Sequence, residues 1–572
     1  MVSFVRLRKA VELKSSKLGS TPATPWINND IVPLPPHRRT WDMWTFMGFW
    51  AINNLCISNY QVGSTLISIG NSVWMAMVAN VIGRIIICLM AILNGQVGAE
   101  YHIGYPVFSR CVWGMRGSYI AIVQRIMLGV VWLSTQSWTG GLCISVILSS
   151  LAPGYQNMKN TMPASTHMET KEFVGFVIYC VLMCGMIYVP PEKSSRLLTT
   201  LNVMTGATLF GMMVYCLKAA HGAGPLLSEP ALANTAWEKG WAIMAGIKTT
   251  IGTIAVGLTN QPDYNRFARS PKDPLIGQIV SILFYGSVVP LVGCLTTSAS
   301  AKLYPDTDGG IWNPPLLAAR WLDDDYNAKS RAGAFFCGVG LLAGQLAINT
   351  VDNAFSAGMD FSGLFPKFLT LRRGAYVGLC ISILIQPWQL LSTAGVFINV
   401  MSAYAVLLGA MTGIMVCDYW AVRKRKLKLM DMFEPSSRSI YWFNGGFNWR
   451  SFTAWIIGFA PLMPGFVNAC NSNIEIPSGA KHLYQLAFIY GFIVSFLLHY
   501  CFNLLSPPSG LGELDTINPF GTFTEQEARN LGICWDESEE SDAPDYDRPE
   551  KASKDAEVKI REVSLQEPPV FF

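Results

Sequence analysis

The sequence predicts an all-α integral membrane protein of about twelve transmembrane helices. Three observations carry this. Only 14% of its 572 residues are charged, against roughly 25% in soluble domains, while 51% are apolar. Apolar runs of about 20 residues, the length that crosses a bilayer core, recur along most of the chain. Threaded through a membrane, these runs leave most of the Lys and Arg on one side. A mean hydropathy of +0.32 excludes disorder for most of the chain. The net charge of +4 gives no case for nucleic acid.

Residues 1–43 read as a polar, basic arm (Arg6, Arg8, Lys9, Lys14, Lys17) without the apolar core and cleavage site of a signal peptide. The transmembrane domain is expected over 44–505. Spans one to five fall near 44–67, 74–93, 120–144, 173–189 and 196–217, together 44–217. Spans six to ten fall near 241–259, 275–298, 331–354, 375–392 and 395–417, together 241–417. Spans eleven and twelve fall near 451–468 and 483–505, within 451–505. Pro387 and a short Ser-Thr-Ala turn divide spans nine and ten.

With the N-terminus inside, the inner loops receive Arg110, Arg116, Lys193, Arg196, Arg266, Arg269, Lys272, Lys367, Arg372 and Arg373, and then the cluster Arg423 to Lys428. Longer outer loops hold fewer basic residues, so both termini are expected to be cytoplasmic. Residues 506–572 form a polar tail with an acidic run from Glu537 to Asp547. Both terminal segments read as solvated and disordered, with ubiquitination or endocytosis machinery as the sharper reading of their role. The 14 cysteines mostly sit in apolar runs, with no CxxC pair and no zinc spacing, and read as packing residues. No metal and no cofactor is expected.

Polar groups inside a membrane mark pathways and sites, because each costs several kcal/mol unless paired. Span one carries Asn53 and Asn54, then Cys56, Ser58, Asn59, Gln61, Gly63 and Ser64, a crowding that suits a helix unwound at mid-depth. The plainer alternative is Asn pairing between helices. Span six carries Gly246, Lys248, Thr249, Thr250, Gly252, Thr253 and Gly257, a second glycine-interrupted span. Two broken spans in equivalent places of two five-helix halves point to an inverted repeat with a site at its interface. Lys248 reads either as a site residue or as a lysine snorkelling to the outer surface.

Trp132 and Gln136 in span three share a helical face. An indole wall and a carboxamide suit a planar lactam or ureide, although Trp is equally a packing residue. In span eight, Gln345, Asn349, Asp352, Asn353 and Ser356 form a polar stripe. Asp352 is a proton-carrier candidate or else a structural partner of a cation, and Arg84 in span two needs a partner the sequence does not name.

These features together resemble nucleobase–cation symporter family 1, most closely its fungal Fur subfamily of uracil, allantoin, uridine and thiamine carriers. The similar stretches include Pro33-Leu-Pro-Pro, Arg39-Thr-Trp41, Leu93-Asn-Gly95, Gly114-Met-Arg-Gly-Ser118, Trp132-Leu-Ser-Thr-Gln136-Ser-Trp138, Asn260-Gln-Pro-Asp-Tyr264, Gln386-Pro-Trp-Gln389 and Cys417-Asp-Tyr419. They run in order from about Asn29 to Leu504. The resemblance implies a LeuT-type fold, five plus five helices in inverted repeat and then two more. It implies a substrate site of Trp132, Gln136, Asn353 and Lys248, with Asn54, Cys56 and Thr253 beside it.

Two departures matter. Sodium-coupled relatives carry Ser and Thr oxygens on span eight where this chain has Ala347 and Ile348, so a proton is the expected coupling ion. The aromatic that closes the ligand sandwich from span six is here Thr253. Ser58-Asn-Tyr-Gln-Val-Gly-Ser64 is similar to thiamine and nicotinamide riboside carriers of the subfamily.

The reading is therefore a plasma-membrane, multi-pass importer coupled to protons, for uracil or allantoin. Thiamine, a nucleoside or nicotinamide riboside is the alternative, and a non-transporting nutrient sensor the distant one. Neither a GxxxxGK[ST] loop nor an HExxH pair is present, so an enzyme is not expected. The lipid bilayer is a partner throughout. A homo-oligomer through Gly409 and Gly413 of span ten is an open alternative to packing within the chain.

Overall fold

The computed structural model describes residues 12–13, 24–189, 191–227, 235–307, 309–516, 518 and 520–533, leaving the side chains of 191–196 aside. The described residues are helical, with two isolated backbone bridges and no extended strand. Nine helices among them are long and apolar enough to cross a membrane. The expected spans outside that set are one, six and nine. Spans one and six are each divided in two, and span nine, Leu371–Leu384, has only 14 residues.

Span one starts at Met43, where Asp42 caps the helix by accepting from the Thr45 backbone N–H at 2.9 Å. It runs Met43–Asn54, breaks at Leu55 and the extended Cys56, and resumes as Ile57–Ser68. Span six starts from a capping box of Thr235 and Glu238. It runs Ala236–Gly252, breaks at Thr253 and Ile254, and resumes as Ala255–Thr259. Both expected breaks are present. They occupy equivalent places in the two halves, as an inverted repeat requires.

Glycines let the spans approach closely, as is usual in membrane bundles. A Cβ on Gly63 of span one would lie 2.1 Å from the Pro290 carbonyl oxygen of span seven, Asp273–Leu303. Gly409 and Gly413 of span ten, Ala394–Val416, pack on the backbone of Phe488 and Phe492 in span twelve, Ala487–Leu505. That pair is therefore used within the chain.

Parts of both terminal segments depart from the solvated picture. Ile27, Ile31 and Leu34 of the N-terminal arm are buried, and Asn28 donates to Ser362 at 2.8 Å and to the Pro366 carbonyl at 3.1 Å. From the other end, Asp515 accepts from the backbone N–H of Leu429 at 2.6 Å, and a helix Glu525–Leu531 docks through Glu527 to Arg39, also at 2.6 Å. Polar composition suggested disorder, but these polar groups are matched to orphaned backbone groups and charges of the bundle. The Arg39–Glu527 pair also brings the two terminal segments together. The basic residues Arg6 to Lys17 and the acidic run Glu537 to Asp547 lie outside the described residues.

Candidate functional site

The two breaks meet spans three and eight around a cavity. Asn53, Ser58 and Asn59 line it from span one, and Thr253, Ile254, Val256 and Gly257 from span six. Span three, Gly117–Leu151, contributes Gly129, Trp132 and Gln136 along one face. Span eight contributes Ile348, Asp352, Asn353 and Ser356, and span two contributes Arg84.

Each break is stabilised locally. Where span one unwinds, the Asn54 carbonyl loses its helical partner and accepts instead from the Asn59 side chain at 2.8 Å. The Cys56 thiol donates to the Asn53 carbonyl at 3.1 Å. At the break in span six, Thr253 Oγ donates to the Thr250 carbonyl at 2.7 Å. Span eight does not unwind but widens: Asn349–Ala354 form one π-helical stretch between Ala328–Ile348 and Phe355–Leu364, a distortion common at functional sites.

The carboxamides facing the cavity have fixed orientations. Gln345 donates Nε2–H to the main-chain carbonyl of Gln136 at 3.1 Å and to Gln136 Oε1 at 2.7 Å. Gln136 therefore keeps its NH2 for a ligand. Asn349 donates to Ser137 Oγ at 3.0 Å and to the Leu133 carbonyl at 3.5 Å, so its oxygen accepts from Asn353 Nδ2 at 2.8 Å. Asn353 therefore keeps its oxygen. A donor and an acceptor thus stand on neighbouring spans, beside an indole backed by Tyr404 at a centroid distance of 6.0 Å.

Five of the sequence-predicted residues meet at this cavity: Trp132, Gln136, Thr253, Asp352 and Asn353. Two lie just behind it. Asn54 accepts from Arg84 at 3.2 Å and donates to the Trp50 carbonyl at 2.7 Å, and Cys56 is fully buried at the break. Lys248 is a correction. Its ammonium sits 3.6 Å from the centre of the Tyr484 ring and is absent from the cavity lining. Five positions before Thr253, it lies about 140° round the helix from the residue that does face the cavity.

In the sequence Arg84 is legible only as a charge in need of a partner, and Gln345 and Asn349 only as members of a stripe. Their role as amide holders needed the facing span. Asp352 is half-buried and has no hydrogen-bond or ion-pair partner among the described residues.

The family model described as permease for cytosine/purines, uracil, thiamine, allantoin matches residues 33–491. The chain belongs to this nucleobase–cation symporter family. Among curated proteins it is 40% identical to Transporter aclS of Aspergillus oryzae, over 93% of this chain and 95% of that one. It is 30% identical to the Thiamine transporter THI72 of Saccharomyces cerevisiae, over 88% of this chain and 84% of the relative. Among solved structures it superposes on Mhp1, a nucleobase–cation-symport-1 family transporter in a closed conformation with bromovinylhydantoin bound. The TM-score is 0.66 at 20% identity, covering 88% of this chain and 99% of Mhp1. That likeness establishes the fold, a LeuT-type helical bundle. The chain is thus a multi-pass membrane transporter of this family.

Proposed function

We propose that the chain imports a small nitrogen heterocycle together with a proton, with uracil or allantoin as the leading substrate. The carrying observation is the pairing of a free Gln136 amide donor with a free Asn353 oxygen beside the Trp132 face. A ring carbonyl next to a ring N–H, the edge of a lactam or ureide, satisfies both at once. Trp132 supplies one flat wall. Across from it Thr253 is small and polar, so the ring is held by its edge more than by a sandwich.

Asp352 is the proton carrier in this reading. It is a carboxyl without a hydrogen-bond or ion-pair partner among the described residues, it lines the cavity, and it sits on the distorted stretch of span eight. A sodium ion would need oxygen ligands on that span, whereas Ala347 and Ile348 offer hydrocarbon. Transport proceeds by alternating access, one bundle rocking against the other around the two breaks. The protein sits in the plasma membrane with both termini in the cytoplasm.

Gln136→Ala and Asn353→Ala are expected to abolish saturable uptake while the protein still reaches the cell surface. Unchanged uptake would contradict the assigned site. Thiamine, a nucleoside or nicotinamide riboside is the second reading, favoured by the 30% identity to a thiamine transporter.

A further inference from the structure

Arg84 lies eleven residues into span two, Val73–Tyr101, and is only 3% exposed, yet it lines the cavity. A guanidinium at that depth is costly and must be matched. Its holders are neutral. Nη1 donates to Asn54 Oδ1 at 3.2 Å and Nη2 to Asn59 Oδ1. Both oxygens are turned to it because the two amide nitrogens are already bound, Asn54 to the Trp50 carbonyl and Asn59 to the Asn54 carbonyl.

Room for the side chain is built in at span seven. A Cβ on Gly286 would come within 2.8 Å of Arg84 Cδ and 3.0 Å of Nε. No carboxylate lies within 4.0 Å of the guanidinium among the described residues, and its Nε–H has no partner there. Of its five N–H donors, two are used among the described residues. The carboxylate among the cavity-lining residues is Asp352, which is not paired with Arg84.

We propose that Arg84 binds the substrate directly and restricts the site to acceptor-rich rings, neutral or anionic, while rejecting heterocyclic cations. This rests on the reading of the cavity as a heterocycle site. The donors of Arg84 and the NH2 of Gln136 both ask the ligand for acceptors, as carbonyl-bearing rings provide. A ring with a fixed positive charge meets a like charge in low dielectric. Asp352 offsets that charge only while ionised; once it takes up the coupled proton, the cavity keeps the positive charge of Arg84.

The test is uptake of labelled uracil and allantoin by cells expressing the full chain, with unlabelled competitors, at matched surface levels. In the wild-type protein uracil and allantoin should compete, whereas excess thiamine and nicotinamide riboside, a thiazolium and a pyridinium, should not. Arg84→Gln should raise the half-saturating concentration by about tenfold or more, and Arg84→Lys should recover part of it. Saturable uptake of thiamine or nicotinamide riboside would overturn this inference while leaving a heterocycle importer standing. Wild-type half-saturation in Arg84→Gln would overturn it too. Absence of uptake of every compound would overturn both readings. If Arg84→Gln does not reach the surface, Arg84→Lys and the wild-type competition series decide.

Discussion

Gln345 determines which end of Gln136 meets the cavity. A main-chain carbonyl can only accept, so the 3.1 Å bond to the Gln136 carbonyl fixes the Gln345 amide, and the same nitrogen then holds Gln136 Oε1 at 2.7 Å. Gln345 itself is fully buried and does not line the cavity. Gln345→Leu should therefore weaken substrate binding by about 3–10-fold, the loss of one positioning hydrogen bond. The concentration dependence of uptake measures this, with the maximal rate at matched surface level little changed.

Asp352→Asn keeps the shape of the side chain and removes its titration. Uptake by this variant should become nearly independent of pH and insensitive to a protonophore. A pH profile matching the wild type would make Asp352 structural.

Lys248 supplies a different check. Its ammonium rests on the Tyr484 ring, away from the cavity. Lys248→Met should leave the half-saturating concentration unchanged and lower stability by about 0.5–2 kcal/mol, the worth of a desolvated cation–π contact. A large loss of affinity at unchanged stability would return Lys248 to the substrate site.

Gly63→Ala tests the packing of the broken span against span seven. The added Cβ would face the Pro290 carbonyl at 2.1 Å, and backbone cannot step aside as a side chain can. A stability loss of about 1–3 kcal/mol is expected, read as a lower melting temperature of the purified protein.

The docked C-terminal helix carries a pH dependence of known sign. Burial by itself raises the Glu527 carboxyl, but the His102 imidazole 3.6 Å away and the hydrogen bond from Arg39 outweigh it and bring the pKa down to about 2 from an ordinary 4.5. A depressed carboxyl stabilises docking above the ordinary value, and that contribution is lost as pH falls from about 4.5 toward 2. Hydrogen exchange over 525–531, corrected for intrinsic rates, should show protection near neutrality that declines in this window. Glu527→Gln should show the same loss at neutral pH.

Sequence pattern revealed the fold because its signals are local. Runs of apolar residues gave the spans, and the glycine and asparagine crowding at Asn53–Asn54 and Gly252–Thr253 marked both breaks. The expected polar stripe of span eight is present, but its π-helical stretch at Asn349–Ala354 was not legible, since it depends on partners in spans three and four such as Ser137 and Tyr179. Trp132 and Gln136 were readable as a pair four apart on one face. The aim of Lys248 was not, because a break five residues later leaves open which side of the helix faces the site. Arg84 stands out as a mid-membrane charge, but its carboxamide holders, Asn54 and Asn59, flank the break in span one and are brought together by it. The docking of Asn28, Asp515 and Glu527 was not legible, because composition registers polarity but not the presence of a matching surface.

The most direct test of the central claim is uptake of labelled uracil, allantoin, uridine and thiamine into transporter-deficient cells expressing this chain, with and without a protonophore. Saturable, protonophore-sensitive uptake of uracil or allantoin is expected. Saturable uptake of either that ignores the protonophore would contradict proton coupling, and no uptake of any of the four by surface-resident protein would contradict the importer itself.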